Sequence, residues 1–240
     1  MHPLELTNYI GHLRGPCSYL DDRTQSLLFL DGSSAADSYR DMLDLGYRRH
    51  GVHLYRPDCV TCRECRVLRV PLKGFKMRSS QKRVYKKGKE IFEVRFAAPE
   101  YTPQKARIYE RYLAFQHGRT ELIDESTYRD FFVDSFLGEN TRELQLYAGD
   151  VLCGVGTVDL LRDALSSVYF FFDPDYSRFS PGTYSILAEI ESAARSGLAY
   201  YYPGYYIRDC AAMRYKMNFL PCEIKDITAG IWTSCSNESV

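Results

Sequence analysis

The alternation of apolar and polar positions along the 240 residues divides the chain into short elements. Ser26–Leu30 and Cys65–Val70 are β-rich runs that read as strands, and Ser38–Leu45 between them reads as a helix closed by Gly46. Ala97–Tyr101 shows no periodicity and reads as a linker. Thr102 before Pro103 is an N-cap followed by proline at the first helical position. Ala106, Tyr109, Leu113 and Gln116 follow at helical spacing, which predicts a helix over Pro103–Gln116. Ser126 reads as the cap of a second helix, with Phe131, Phe132, Val133 and Phe136 on its buried face.

Three strands come next: Arg142–Ala148, the turn Gly149-Asp150, Val151–Leu160, and Leu165–Phe172. Thr183–Ser196 has Ile186, Leu187, Ile190 and Ala194 on one face and Gly197 as its stop, so it reads as a helix. Leu198–Tyr202 reads as a buried strand, Cys210–Asn218 as a helix, and Glu223–Ile227 as a last strand. Three meandering strands followed by two α/β units resemble the acyltransferase fold of the GCN5-related N-acetyltransferases, an analogy of fold and not of chemistry. The expected class is therefore α+β: an acyltransferase-like mixed sheet over 99–233, preceded by a smaller α+β cysteine-containing part over 1–98. The small polar residues 234–240 are expected to fray as a tail.

Composition narrows the class. A chain with 45% hydrophobic and 26% charged residues can bury a sizeable core. The segment Met1–Gly15 is interrupted by His2, Pro3, Glu5, His12 and Arg14 and reads as no signal peptide. No apolar run approaches the roughly 20 residues of a spanning helix, so a cytoplasmic protein with no membrane association is expected. Net charge is zero, but Arg66–Arg95 holds eleven Lys/Arg against two Asp/Glu. That segment stands at +9 and the remainder at −9. Such asymmetry points to an anionic partner at one face; the plain alternative is a solvated charged surface.

Eight cysteines without an export signal are expected to be reduced. Cys59, Cys62 and Cys65, with two residues between successive thiols, can converge on one zinc or iron–sulfur centre. Cys17 is the nearest fourth ligand, with His50 and His53 as substitutes. Such a centre would be structural; the alternative is a set of merely buried thiols. The run Arg78-Ser79-Ser80-Gln81-Lys82-Arg83 offers guanidinium, ammonium, hydroxyl and amide groups for phosphates or carboxylates, or else forms an exposed basic helix face. Tyr200, Tyr201, Tyr202, Tyr205 and Tyr206 are able to stack on bases, although tyrosines taken singly are more often packing residues. His117 is a candidate acid/base group. No nucleophile elbow or Walker loop occurs. Arg178-Phe179-Ser180-Pro181-Gly182-Thr183 keeps an arginine and one glycine of the acetyltransferase pyrophosphate loop but lacks its paired glycines, which weakens coenzyme A as acyl donor.

Several segments, in order, resemble the arginyl/leucyl-tRNA–protein transferases. They are Pro16-Cys17-Ser18-Tyr19-Leu20, Gly46-Tyr47-Arg48-Arg49, Tyr55-Arg56-Pro57 with the three cysteines, Ser79 to Arg83, Ser167 to Pro174, Gly182-Thr183-Tyr184, Tyr202 to Ile207 and Met213 to Lys216. The short length and the Cys-x-Tyr-Leu start resemble the bacterial branch, which moves leucine from leucyl-tRNA to proteins with N-terminal Asp or Glu and so marks them for the N-degron pathway. The resemblance implies two substrates, leucyl-tRNA and an acidic protein terminus, with handover to a degradation adaptor. It implies no cofactor required for chemistry. Tyr169, Asp173, Tyr205 and Lys216 are expected to line the reaction cleft, and Arg78, Ser80, Gln81, Lys82 and Arg83 to lie near the acidic terminus or the acceptor stem.

The chemistry so implied is mild. An α-amine has a pKa of roughly 7.7–8.0 and is partly nucleophilic near neutrality. The aminoacyl ester is activated, so juxtaposition and oxyanion donors can supply much of the acceleration. Arginyl transfer, coenzyme A-dependent N-acylation and a non-enzymatic metal-stabilised RNA-binding module are the competing readings.

Overall fold

The computed structural model describes Asn8–Cys235. The N-terminal sheet is antiparallel throughout. It contains β1 (Tyr9–Pro16), β2 (Thr24–Asp31), β3 (Arg48–His50) and β4 (His53–Pro57), in the order β1-β2-β4-β3. Ser26, Leu28 and Leu30 face inward at the two-residue period of a half-buried strand. They meet helix α1 (Tyr39–Asp44), which contributes Tyr39, Met42 and Leu43, all fully buried. Gly46 ends that segment at φ 91°, as its position implies.

The second sheet has eight strands in the order β12-β11-β5-β10-β9-β8-β7-β6. They are β5 (Arg66–Pro71), β6 (Glu93–Ala97), β7 (Thr141–Ala148), β8 (Val151–Leu160), β9 (Ala164–Phe172), β10 (Tyr200–Tyr206), β11 (Cys222–Lys225) and β12 (Trp232–Cys235). Helices α2 (Ser79–Ile91), α3 (Pro103–His117) and α4 (Pro181–Arg195) cover it. Side chains of β9 alternate between its faces: Phe171 joins α3 and the 123–133 segment, while Phe170 packs toward Tyr184 of α4. The interior of β8 is buried on both faces, which explains its near-continuous apolar run. Helices α2 and α4 lie close together because Gly88 has no side chain; a Cβ there would run into the Tyr184 ring.

The expected α+β class and the three-strand meander hold. The hydrogen bonding, however, crosses the expected boundary at 98/99. Strand β5 pairs with β10 on one side and β11 on the other, and β6 with β7, so two strands from before residue 98 belong to the large sheet. Val67, Leu68 and Val70 are buried and need neighbours on both flanks. Four smaller expectations shift. Asp124, not Ser126, caps the segment Glu125–Tyr128, through Thr127 N at 2.8 Å. The strand expected at 198–202 is β10, displaced to 200–206. The helix expected at 210–218 divides into a turn of α-helix over Ala211–Arg214 and a tighter turn over Tyr215–Asn218. Ser234 and Cys235, placed in the tail, lie in β12, with Cys235 packed against the core; residues 236–240 lie outside the described residues.

The two sheets are tied by one internal ion pair. Arg49 on β3 donates from Nε to both carboxylate oxygens of Asp159 on β8, at 3.0 and 2.9 Å, and both side chains are fully buried. Thr141 Oγ1 donates to the same carboxylate at 2.9 Å. Removing one partner of a buried pair strands the other charge. Asp159→Ala is therefore expected to destabilise the protein by about 3–5 kcal/mol in urea unfolding, and Arg49→Met with Asp159→Leu by clearly less. A loss for the single variant within the noise of the measurement contradicts this assignment.

Candidate functional site

Strands β9 and β10 are the one parallel pair among the described strands of the large sheet. They hold register only from Ala164↔Tyr200 to Ser166↔Tyr202. Beyond that point β10 contains Pro203, which has no N–H to give a ladder, and Gly204 at φ 100°. A register shift in β10 between Tyr201 and Gly204, and another where β8 meets β9, fall at the same level. Pairing stops and the strands part. A cleft of about 530 Å³ opens there, within the size range of small-molecule sites.

Both sheets build its walls. Tyr169, Phe170 and Phe172 come from β9, Pro203 to Tyr205 from β10, and Arg48 to His50 from β3. Tyr112, Gln116 and His117 come from α3, and Gly182 and Ser185 from the start of α4. Tyr215 and Lys216 close the lower side. Lys216 is buried, with Nζ donating to Tyr205 O at 3.2 Å and lying 3.0 Å from Met213 Sδ. Gly204 lets it approach, since a Cβ there would stand 3.2 Å from Nζ. Burial, and then the neighbouring Arg48 charge, bring the Lys216 pKa down to about 7. Burial likewise lowers His117, with Arg119 adding to the effect. The phenols of Tyr169 and Tyr205 are pushed far up by burial and stay protonated.

Three of the four expected cleft residues, Tyr169, Tyr205 and Lys216, line this space. The Tyr205 hydroxyl is committed to the Gly46 carbonyl at 2.6 Å, so its ring shapes the wall while its oxygen ties β10 to the N-terminal sheet. Asp173 is not a lining residue. It pairs with Arg111 Nη1 at 2.6 Å and accepts from Asp175 N at 3.0 Å, holding the turn Pro174–Phe179. Arg78, Ser80, Gln81, Lys82 and Arg83 are also not among the lining residues. Gln81 is buried and serves structure: Oε1 accepts from Arg78 N at 2.9 Å and Nε2 donates to Asn218 O at 3.0 Å. Ser80, Lys82 and Arg83 are exposed on the first turn of α2. Sequence reasoning assigned no role to Arg48, Arg49, Tyr19, Tyr55 or Tyr112 in the cleft. The available signal was Arg48-Arg49 within a strand, where alternation forces two adjacent cations onto opposite faces.

The expected metal ligands do gather. The Cys65 thiol is pushed up to about 12, by burial first and then by Cys59, Cys17 and Cys62 around it. Among the described residues, however, no three Cys, His, Asp or Glu side chains form a group that could hold a metal ion. Cys59 Sγ accepts from Ser26 N at 3.4 Å and Cys62 Sγ from Arg23 Nη1 at 3.3 Å. Among the described residues no helix is long and apolar enough to cross a membrane.

The Lys216 shift has a measurable sign. Its folded pKa of about 7 lies below its ordinary 10.5. Between those values the unfolded chain carries a proton that the folded chain lacks, so stability rises with pH across the window. The cost of the buried ammonium is full below the folded pKa and vanishes above the ordinary one. Lys216→Met is expected to raise the urea midpoint near pH 7, with the gain shrinking toward zero by about pH 10. A gain constant over that range contradicts the shift.

Comparison with known proteins places this geometry. The family model "Arginine-tRNA-protein transferase, N terminus" matches residues 15–83, and "Arginine-tRNA-protein transferase, C terminus" matches residues 104–226. An aspartate/glutamate leucyltransferase of Acinetobacter baumannii is 36% identical over 234 residues, covering 93% of this chain and 84% of the relative. Another of that name, from Pseudomonas savastanoi pv. phaseolicola, is 38% identical over 213 residues, covering 87% and 89%. The crystal structure of FemX superposes with a TM-score of 0.53 at 8% identity, over 92% of this chain and 87% of that one, a likeness of fold alone. By its two matched segments and its end-to-end identity with these relatives, the chain belongs to the arginine-tRNA–protein transferase family.

Proposed function

We propose that this transferase moves leucine from leucyl-tRNA to the α-amine of proteins beginning with Asp or Glu. The product would be a destabilising N-terminus, passed in the cytoplasm to a degradation adaptor. The observation that carries the reading is a cleft at the β9/β10 parting that sets a buried lysine of near-neutral pKa beside a buried arginine under aromatic walls. The names of the relatives support leucine and acidic acceptors. So does charge: Arg48 would repel an arginyl side chain, whereas the aromatic walls suit an apolar one.

In the reaction, the α-amine nitrogen forms a bond to the ester carbonyl carbon, and the bond from that carbon to the terminal ribose oxygen breaks. The amine must shed a proton and the departing oxygen must gain one. Neutral Lys216 Nζ is suited to take the first and return the second, because its pKa lies near that of the amine it serves. Tyr169, held protonated, is a candidate donor to the developing oxyanion. Helix α2, with exposed Lys82, Arg83, Lys86 and Lys87, packs on α4, whose first turn borders the cleft, and offers phosphate contacts outside it. Acyl-coenzyme A is disfavoured as donor: α4 opens with Pro181 after left-handed Ser180, so a backbone N–H that a pyrophosphate would use is missing.

The decisive assay compares leucyl- and arginyl-tRNA as donors with Asp-, Glu- and Arg-initiated peptides as acceptors. Labelled leucine is expected on the first two peptides only. Absence of leucine transfer to the Asp peptide removes the proposal. Lys216→Met is expected to lower kcat by about 10²–10⁴-fold. It should also abolish the inflection near pH 7 while leaving the one due to the acceptor amine.

A further inference from the structure

Three arginines are buried in the described residues: Arg40, Arg48 and Arg49. Two are neutralised. Arg40 pairs with Asp163 and Asp44, and Arg49 with Asp159. Arg48 pairs with no carboxylate among the described residues. Its Nη1 donates to Tyr47 O at 2.8 Å and Leu43 O at 3.4 Å, while Nε and Nη2 are buried without a hydrogen-bond partner. These two nitrogens form one edge of the guanidinium, the edge that clasps a carboxylate through two parallel hydrogen bonds. The charge centre lies 5.6 Å from the Tyr202 ring and 5.2 Å from the Tyr205 ring. Cation–π contacts steady such a charge but leave its N–H groups unsatisfied.

Arg48 is also a wall of the cleft and only 5% exposed. It stands on β3 beside Arg49, whose ion pair to Asp159 anchors the strand, so the position of the free edge is set before anything binds. The group nearest in role is Lys216, whose charged form Arg48 disfavours. A pre-positioned, enclosed cation whose two-pronged edge has no hydrogen-bond partner calls for a single planar anion of side-chain size. A polynucleotide backbone is a poorer match, since its phosphates follow the exposed lysines and arginines of α2.

We propose that Arg48 is the residue that selects the acceptor: its Nε/Nη2 edge receives the side-chain carboxylate of the N-terminal Asp or Glu and sets the α-amine before the aminoacyl ester. The inference rests on the acceptor reading proposed above. It also replaces Arg78 and Arg83 in the role of recognising acidity within the cleft.

The test uses the full chain, leucyl-tRNA, and two peptides identical but for Asp or its neutral isostere Asn at position one. The wild type is expected to prefer Asp by about 10²-fold or more in kcat/KM. Arg48→Gln is expected to lose about 10²-fold on the Asp peptide and little on the Asn peptide, so that discrimination collapses, with the KM for leucyl-tRNA unchanged. Arg48→Lys, which keeps the charge and loses the fork, is expected to fall between. Preserved discrimination in Arg48→Gln, or a raised KM for leucyl-tRNA with the Asp/Asn ratio intact, overturns the proposal, the second result in favour of a phosphate contact.

Calorimetric titration of the wild type with each peptide, without tRNA, gives a readout that needs neither a folded variant nor turnover. Tighter binding of Asp by about 10²-fold supports the carboxylate site and equal affinities overturn it. If the wild type transfers leucine to neither peptide yet binds Asp selectively, the reading of the reaction fails while the carboxylate site stands.

Discussion

The contact between Arg49 and Asp159 sets the position of everything in the cleft. Each side chain is fully removed from solvent, so each charge would be untenable alone. Together they pin β3, a strand of three residues, against the central strand β8 of the other sheet. Thr141 saturates the carboxylate further, and the Gly51 and Asp134 carbonyls accept from the far end of the guanidinium. A strand this short has little ladder of its own to hold it. Its fixed placement matters because side chains alternate along it: with Arg49 paired to β8, Arg48 and His50 take the opposite face, and all three border the cleft. One buried pair thus converts a local register into the orientation of a second cation.

The cleft is a defect in a sheet used as an opening. Parallel pairing of β9 and β10 begins normally and then fails where Pro203 cannot donate and Gly204 takes a backbone shape closed to other residues. The strands part, and the gap is floored by Lys216, which can come close because Gly204 lacks a side chain. The surrounding phenols are kept neutral by burial. Arg48 and Lys216 therefore sit in a site of low polarisability, where charge interactions are strong and protonation is easily displaced. The lowered Lys216 pKa is the visible result, and the companion Arg48 charge contributes to it.

Surface charge and cleft charge are separate systems. The +9 stretch over Arg66–Arg95 places five of its eleven cations, Lys82, Arg83, Lys86, Lys87 and Lys89, on the exposed side of α2, where they are hydrated and suited to a polyanion over a broad area. The cleft holds one arginine cation, Arg48, and one lysine of lowered pKa, Lys216, both enclosed and individually positioned. Gln81 and Arg78 are the hinge between these descriptions: they read as ligand contacts in the chain but fasten the start of α2 to Asn218. The N-terminal cysteines also make local contacts: Cys59 accepts from Ser26 N and Cys62 from Arg23.

The residue pattern alone determined most elements of the second half. Thr102-Pro103 capped a helix, Gly149-Asp150 turned a hairpin, and the apolar run Val151–Leu160 made a central strand, because capping, turn geometry and burial periodicity act within a few residues. The ordered family segments also carried the chemistry class, and four of their residues, Arg48, Tyr169, Tyr205 and Lys216, line one cleft. What needed the tertiary structure were relations between distant positions. Strand β12 was illegible because its four residues pair only with β11. Strand β5 reads as part of the N-terminal half, yet its partners are at 200–206 and 222–225. Asp173 and Arg78 lie in the matching segments as conspicuously as Lys216 and Arg48, and nothing local separates them. Their roles differ because Asp173 finds Arg111 and Arg49 finds Asp159 across more than sixty and one hundred residues, while Arg48 finds no carboxylate among the described residues. Whether a charge is neutralised depends on neighbours the fold supplies, and only the fold could show which buried arginine pairs with no carboxylate among the described residues.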